Sequence, residues 1–235
     1  MRPSLHVRGR LRVVLTLCAG LLAAGCSPPF VATEGLTYVV QPGDTLYAIA
    51  WRFDLDYRDV ARWNGISASY RIAVGQVLKV SPDAASSAPA DTWRQSPPAS
   101  ADRFQPSPED SSVRWAWPAT GDVIGPVRQP TGGFGLRVAG RLGDPVRAAA
   151  AGRVVYSGTA LRSYGHLLII KHSNSLLSAY GHNQSVLVSE GQQVQQGQAI
   201  AEMGMGPGQR PALYFEIRLN GKPVDPSAYL PHRGP

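Results

Sequence analysis

Two different rhythms of apolar positions run along this chain, with a stretch between them that has neither. Leu46, Ile49, Ala50 and Phe53 recur at the i, i+3, i+4, i+7 spacing of a helix with one buried face. Pro42-Gly43-Asp44 ahead of them is turn chemistry, and Asp44 stands where a helix N-cap is wanted. Asp56 can cap a second helix carrying Val60 and Trp63, and Gly65 falls where a left-handed C-terminal cap belongs. Residues 37–41 and 77–80 read as strands, so residues 37–81 give strand, helix, helix, strand. From residue 113 to 231 the rhythm shortens to alternating apolar runs punctuated by glycine, the pattern of an all-β domain. Residues 165–172 and 175–182 pair as a hairpin candidate, and Asn220-Gly221 is a type I′ hairpin signal. Between the two parts, residues 82–112 hold Pro82, Pro89, Pro97, Pro98, Pro106 and Pro108 among Ala, Ser and Asp, a composition that reads as a disordered linker. The expected fold class is α+β: a small βααβ module, a Pro-rich linker, then a mainly antiparallel β domain.

Charge adds a targeting segment to this picture. The formal charge is +7, but Arg2, Arg8, Arg10 and Arg12 supply four of those charges within residues 1–25, which hold no acid. The mildly basic remainder gives no footprint for nucleic acid, and none is expected as a partner. After Arg12 an apolar run reaches Leu22, shorter than the roughly 20 residues a membrane span needs. It leads into Ala23-Ala24-Gly25-Cys26. The segment resembles a bacterial lipoprotein signal peptide. That resemblance implies removal of residues 1–25, lipid on Cys26 and a tether over residues 26–36. Ser27, where aspartate would favour retention at the inner membrane, points to the periplasmic face of the outer membrane. Cys18 leaves with the signal and Cys26 carries lipid, so no disulfide is expected.

The first block, with YVVQPGDTLYAIAWRF, WNGI and VGQVLKV, resembles the LysM family over its whole length. The resemblance implies binding to the N-acetylglucosamine-containing glycan strands of peptidoglycan in a shallow groove between two loops. Carried onto this sequence, one side is Gly43, Asp44, Thr45 and Leu46, and the other runs from Ile66 to Ile72. Backbone amides and a small apolar floor suit acetamido groups, which bring one donor, one acceptor and a methyl.

The second block, with DPVRAAAAGRVVYSG, YGHLLIIKH, VQQGQAIAEMG and YFEIRLNGKPVDPSAYL, resembles the lysostaphin-type (LytM) zinc metallopeptidases. That family holds zinc through the motifs G-x-H-x-G-x-D and H-x-H. Aligned on Gly135, this sequence has Gly133 at the first ligand and Arg137 at the aspartate. At the second motif Ala212 stands at the assisting histidine and Tyr214 at the last ligand. His182, in Tyr180-Gly181-His182, keeps the family identity. A catalytic zinc needs three protein ligands and a water, so no catalytic metal and no cofactor are expected. Gly133, Arg137, Tyr180, His182, Ala212 and Tyr214 then line a vacated groove, with Arg137 and Tyr214 as candidate partner anchors. His172 is read as a strand-packing residue, and Glu216 as a structural acid satisfying neighbouring backbone or Arg218.

The whole arrangement resembles the NlpD-type amidase activators. It implies a non-enzymatic envelope lipoprotein that binds peptidoglycan and activates a periplasmic N-acetylmuramoyl-L-alanine amidase for septal wall splitting at cell division. The rival readings are an active zinc endopeptidase with atypical ligands and a purely structural tether between outer membrane and wall.

Overall fold

A computed structural model describes residues 35–82, 108–128 and 134–232. The proposed signal peptide, Cys26, Gly133 and most of the linker lie outside these residues. In the first module β1 (Thr37–Val39) pairs antiparallel with β2 (Val77–Lys79), with Tyr38 opposite Leu78. Between them lie α1 (Leu46–Arg52) and α2 (Tyr57–Trp63). Leu46, Ile49 and Ala50 are buried as their spacing predicts, and Phe53 partly so. The N-cap of α1 corrects the sequence reading. It is Thr45, whose Oγ1 accepts from the Ala48 amide at 3.2 Å. Asp44 lies one residue too early and turns away. Its Oδ2 accepts from the Tyr38 hydroxyl at 2.7 Å and the Gln41 amide at 2.9 Å. Asp56 caps α2 through the Arg58 amide, as expected. Gly65, at φ +62°, ends that helix. Its amide bonds the Arg62 carbonyl, and the Ile66 amide reaches back to Ala61, the paired closure a left-handed residue allows.

The second part begins with α3 (Pro108–Ser111) and continues through ten strands: β3 (Val123–Arg128), β4 (Phe134–Ala139), β5 (Pro145–Arg147), β6 (Gly152–Gly158), β7 (His166–Lys171), β8 (Leu176–Val186), β9 (Gln193–Val194), β10 (Ala199–Met203), β11 (Ala212–Leu219) and β12 (Lys222–Val224). The sheet runs β3-β4-β11-β8-β7-β6-β9, with β12 beside β11 and β10 bridging β5 and β8. The strand pairs are antiparallel. The β7–β8 hairpin forms where the sequence places it, and Asn220 and Gly221, both at positive φ, join β11 to β12. The linker reading reached too far at its C-terminal end. Asp110 is buried and its carboxylate accepts from the hydroxyls of Ser173 and Ser175. Composition alone does not reveal that the turn after β7 offers two convergent hydroxyls to a linker aspartate.

The two faces of β11 meet different surroundings. Leu213, Phe215, Ile217 and Leu219 enter the main core with Leu168, Ile170, Leu176 and Tyr180. Tyr214, Glu216 and Arg218 point to the other face. All eight residues of ALYFEIRL are buried, on both faces of the strand. The first module covers this second face, and the described residues belong to one compact unit. Trp51 of α1 lies off the predicted apolar stripe but is buried here, with the Arg218 guanidinium 3.8 Å from its ring centre. Arg218 Nη1 donates to the Trp51 carbonyl at 3.0 Å, Lys222 Nζ to the Asp54 carbonyl at 2.8 Å, and the Tyr57 hydroxyl to the Asn174 carbonyl at 2.9 Å. Gly221 is needed here twice over: its φ is +75°, and a Cβ would sit 2.5 Å from the Leu55 carbonyl oxygen.

Candidate functional site

Register decides which of the expected groove residues meet. Arg137 on β4 is directly opposite Tyr214 on β11, so their side chains share one face. Tyr180 pairs with Phe215 and lies on the opposite face, fully buried, with its hydroxyl accepting from the Ala149 amide at 2.8 Å. Tyr180 therefore does not line the groove. His182 has φ +62°, a left-handed backbone that few non-glycine residues adopt. This kink breaks the alternation of β8 and brings the His182 ring to 6.1 Å from that of Tyr214. Ala212 and Tyr214 are each 1% exposed, which overturns the expectation that they form groove surface. Tyr214 packs edge-on against Tyr164, and its hydroxyl donates to Glu216 Oε2 at 2.6 Å, so it is no exposed anchor. What remains reachable of the expected set is Arg137 and His182, both partly exposed and side by side.

The electrostatics of this face do not suit a zinc ion. Burial, then the Glu216 carboxylate, pushes the Tyr214 phenol well above its usual range, which disfavours a phenolate ligand. Ala212 presents a methyl group. Burial lowers the His182 pKa, and the charge of Arg137 lowers it further. A guanidinium in that place repels a dication by several kcal/mol at low effective dielectric. Among the described residues no group of three His, Cys, Asp or Glu converges on one point. The residues present do not fit the metal centre of the peptidase fold.

Further along the same face, the acid read as structural is structural. Glu216 Oε1 accepts from Arg218 Nε at 2.6 Å, and Arg218 Nη2 lies 2.9 Å from Asp54 Oδ1 as an ion pair outside hydrogen-bond alignment. The sequence reading missed that these two residues hold the first module in place. The signals were a charged pair at i, i+2 in a strand otherwise aromatic and apolar, and Trp51 standing off the apolar stripe of its helix. His172 follows the end of β7, with Nδ1 2.8 Å from the Ala151 carbonyl and Nε2 2.7 Å from Ser178 Oγ. Burial takes its pKa down to about 4.

In the first module the two expected glycan-contacting loops are partly surface and partly core. Leu46 is fully buried, so its side chain is core and not groove floor. The Asp44 side chain is likewise buried and spent on Tyr38, Gln41 and Arg52. Thr45 is used as the N-cap of α1. Gly43 is exposed at φ +82°, and Ile66 and Ile72 are partly exposed. The surface left for a sugar is the backbone around Gly43 and Thr45 facing the segment from Ile66 to Ile72.

Comparison with known proteins gives this geometry its context. Residues 38–81 match the LysM domain family, and residues 131–226 match Peptidase family M23. The chain is 43% identical over 232 residues to a protein named Lipoprotein NlpD/LppB homolog of Pseudomonas aeruginosa, covering 83% of this chain and 77% of that one. It is 40% identical over 236 residues to the Uncharacterized lipoprotein YgeR of Escherichia coli, covering 95% of this chain and 94% of that one. It is 36% identical over 261 residues to the Murein hydrolase activator NlpD of Escherichia coli, covering 85% of this chain and 69% of that one.

Proposed function

We propose a function from one premise: the chain belongs to the NlpD/LppB lipoprotein family, which joins a LysM domain to a domain of the M23 peptidase fold. It is a non-enzymatic murein hydrolase activator. It is held at the periplasmic face of the outer membrane by lipid on Cys26, it grips peptidoglycan glycan strands through the LysM loops, and it switches on a periplasmic N-acetylmuramoyl-L-alanine amidase that splits septal wall.

One observation supports the non-enzymatic part above the rest. The position that carries the last zinc ligand in active peptidases holds Tyr214, buried and hydrogen-bonded to Glu216. The same face ends in a partly exposed guanidinium and imidazole, Arg137 and His182. A domain without these ligands that presents a guanidinium beside an imidazole on an uncovered stretch of sheet is suited to binding a protein. Activation then follows from binding one amidase conformation more tightly than the other: each ~1.4 kcal/mol of preference shifts the closed-to-open ratio tenfold.

The test mixes residues 27–235 with an N-acetylmuramoyl-L-alanine amidase and dye-labelled sacculi. The chain alone is expected to release no dye, and chain plus amidase to release it rapidly. Arg137→Glu combined with His182→Ala is expected to lower the stimulation at least tenfold. Dye release by the chain alone overturns the non-enzymatic reading, and full stimulation by the double variant overturns the groove.

A further inference from the structure

Part of the LysM loop surface faces the second domain across an open cleft. It forms one wall of this cleft of about 920 Å³, whose other wall belongs to the M23-fold domain. Asp44, Thr45, Tyr47 and the segment from Ala68 to Ile72 line one side. The start of β6, the end of β7 with its following turn, and the segment before β9 line the other. The size is that of a site enclosing several sugar-sized units.

We propose that this cleft is a composite glycan site, in which the M23-fold domain supplies cationic contacts to the carboxylates of a strand bound at the LysM loops. The proposal rests on the LysM reading above and extends it to residues of the second domain. Three cations border the space: Arg71 from the first module, and Arg153 and Lys171 from the second. Arg153 is exposed, with Nη1 donating to the Gly191 carbonyl at 3.1 Å and Nη2 to the Gln193 amide oxygen at 3.1 Å, contacts that hold its guanidinium at the cleft wall. The Lys171 ammonium lies 5.3 Å from the ring centre of Tyr57 and 5.7 Å from that of Tyr70. Carboxylates border the cleft too, but each has a donor of its own. Asp44 is taken by Tyr38 and Gln41, Glu190 accepts from the Ser157 amide, and Glu109 accepts from Asn174 Nδ2. Three cations and three carboxylates therefore line the cleft, and recognition of a strand's carboxylates rests on the positions of Arg71, Arg153 and Lys171 and not on a net positive charge.

That donor set fits a particular chemistry. Backbone groups and tyrosine edges suit N-acetylated sugars. Guanidinium and ammonium groups suit carboxylates carried on alternate sugars as lactyl ethers, or on peptide stems. A neutral N-acetylglucosamine oligomer needs only the LysM wall, whereas a carboxylated strand engages both. Since α1 is fixed to β11 through Arg218 and Trp51, the second wall is in place before the glycan arrives, and little ordering cost falls on binding.

The experiment measures binding of two probes by residues 27–235, which keep every described residue: peptide-free muramyl glycan strands, and a chitin oligosaccharide of matched length. Arg153→Gln, an exposed substitution, is expected to weaken the muramyl probe about 3-fold and Arg153→Gln with Lys171→Gln about 10-fold, with chitin binding changed less than 2-fold. Unfolding curves of the variants check that the domains stay docked. Equal binding of both probes by wild type and variants overturns the composite site while leaving LysM binding standing. Failure of the wild type to bind either probe overturns the LysM reading and the composite site together.

Discussion

Arg137 and Arg218 point to the same face of one sheet, yet they live in different places. Arg218 is 1% exposed, bonded to Glu216, paired with Asp54 and laid over the Trp51 ring. Arg137 is opposite Tyr214, roughly 14 Å further along the face at 3.4 Å per residue, and stays partly exposed beside His182. Residue type does not separate them; cover does. The first module closes one end of the face and leaves the other open, so the proposed partner site at Arg137 and the proposed glycan site at the LysM loops keep a fixed offset from each other.

The contrast breaks most severely at the closed end. Arg218→Ala leaves Glu216 buried without its cation and removes the platform under Trp51. Losing one partner of a buried pair costs about 3–5 kcal/mol, so the urea midpoint of the chain is expected to drop steeply. Glu216→Gln with Arg218→Met, which removes both charges and keeps volume, is expected to recover most of that loss. A cost under about 1 kcal/mol for Arg218→Ala, the size of an exposed ion pair, means that the closed end is not what joins the modules.

Much of this was legible in the chain, and the failures have a common cause. Helix stripes, the Gly65 closure and the Asn220-Gly221 hairpin are local, and local chemistry reports them. Glu216 as a structural acid followed from its spacing to Arg218. The N-cap went to Thr45 instead of Asp44 because Tyr38, six residues earlier, competes for the aspartate. The Tyr-x-His motif places Tyr180 in the groove with His182, but its register with Phe215 puts it in the core, while a left-handed backbone at His182 brings that ring round. The zinc-motif resemblance places Ala212 and Tyr214 in the groove, but both are buried, Tyr214 among residues of the first module. Nothing within β11 announces that another module covers it. Long-range cover, between segments more than 150 residues apart, is what local patterns do not carry.

Two histidines sharpen the comparison at intermediate size. His172 is held neutral between Ala151 and Ser178 with its pKa down to about 4. The unfolded chain takes up that proton near pH 6.5 and the folded one does not, so the contribution of His172 is complete above pH 6.5 and declines as pH falls toward 4. Over the whole interval the loss is on the order of 3 kcal/mol, counting 1.36 kcal/mol per pKa unit. Unfolding free energies taken between pH 7 and 4 are expected to fall more steeply for the native chain than for His172→Gln. Parallel curves mean that the ring is not kept neutral by the fold.

The smallest effect belongs to the open end. Arg137→Ala removes a partly exposed side chain that no core depends on, and such changes stay within about 0.5 kcal/mol of stability. The same substitution has a local electrostatic signature. Burial is the larger cause of the depressed His182 pKa and the Arg137 charge the smaller. An NMR titration of His182 is therefore expected to move upward in Arg137→Ala and still stop short of the ordinary histidine value. A return all the way to that value makes charge the ruling cause and the open end wetter than the packing implies. No movement at all separates the two side chains, and with them the Arg137–His182 surface proposed to meet the amidase.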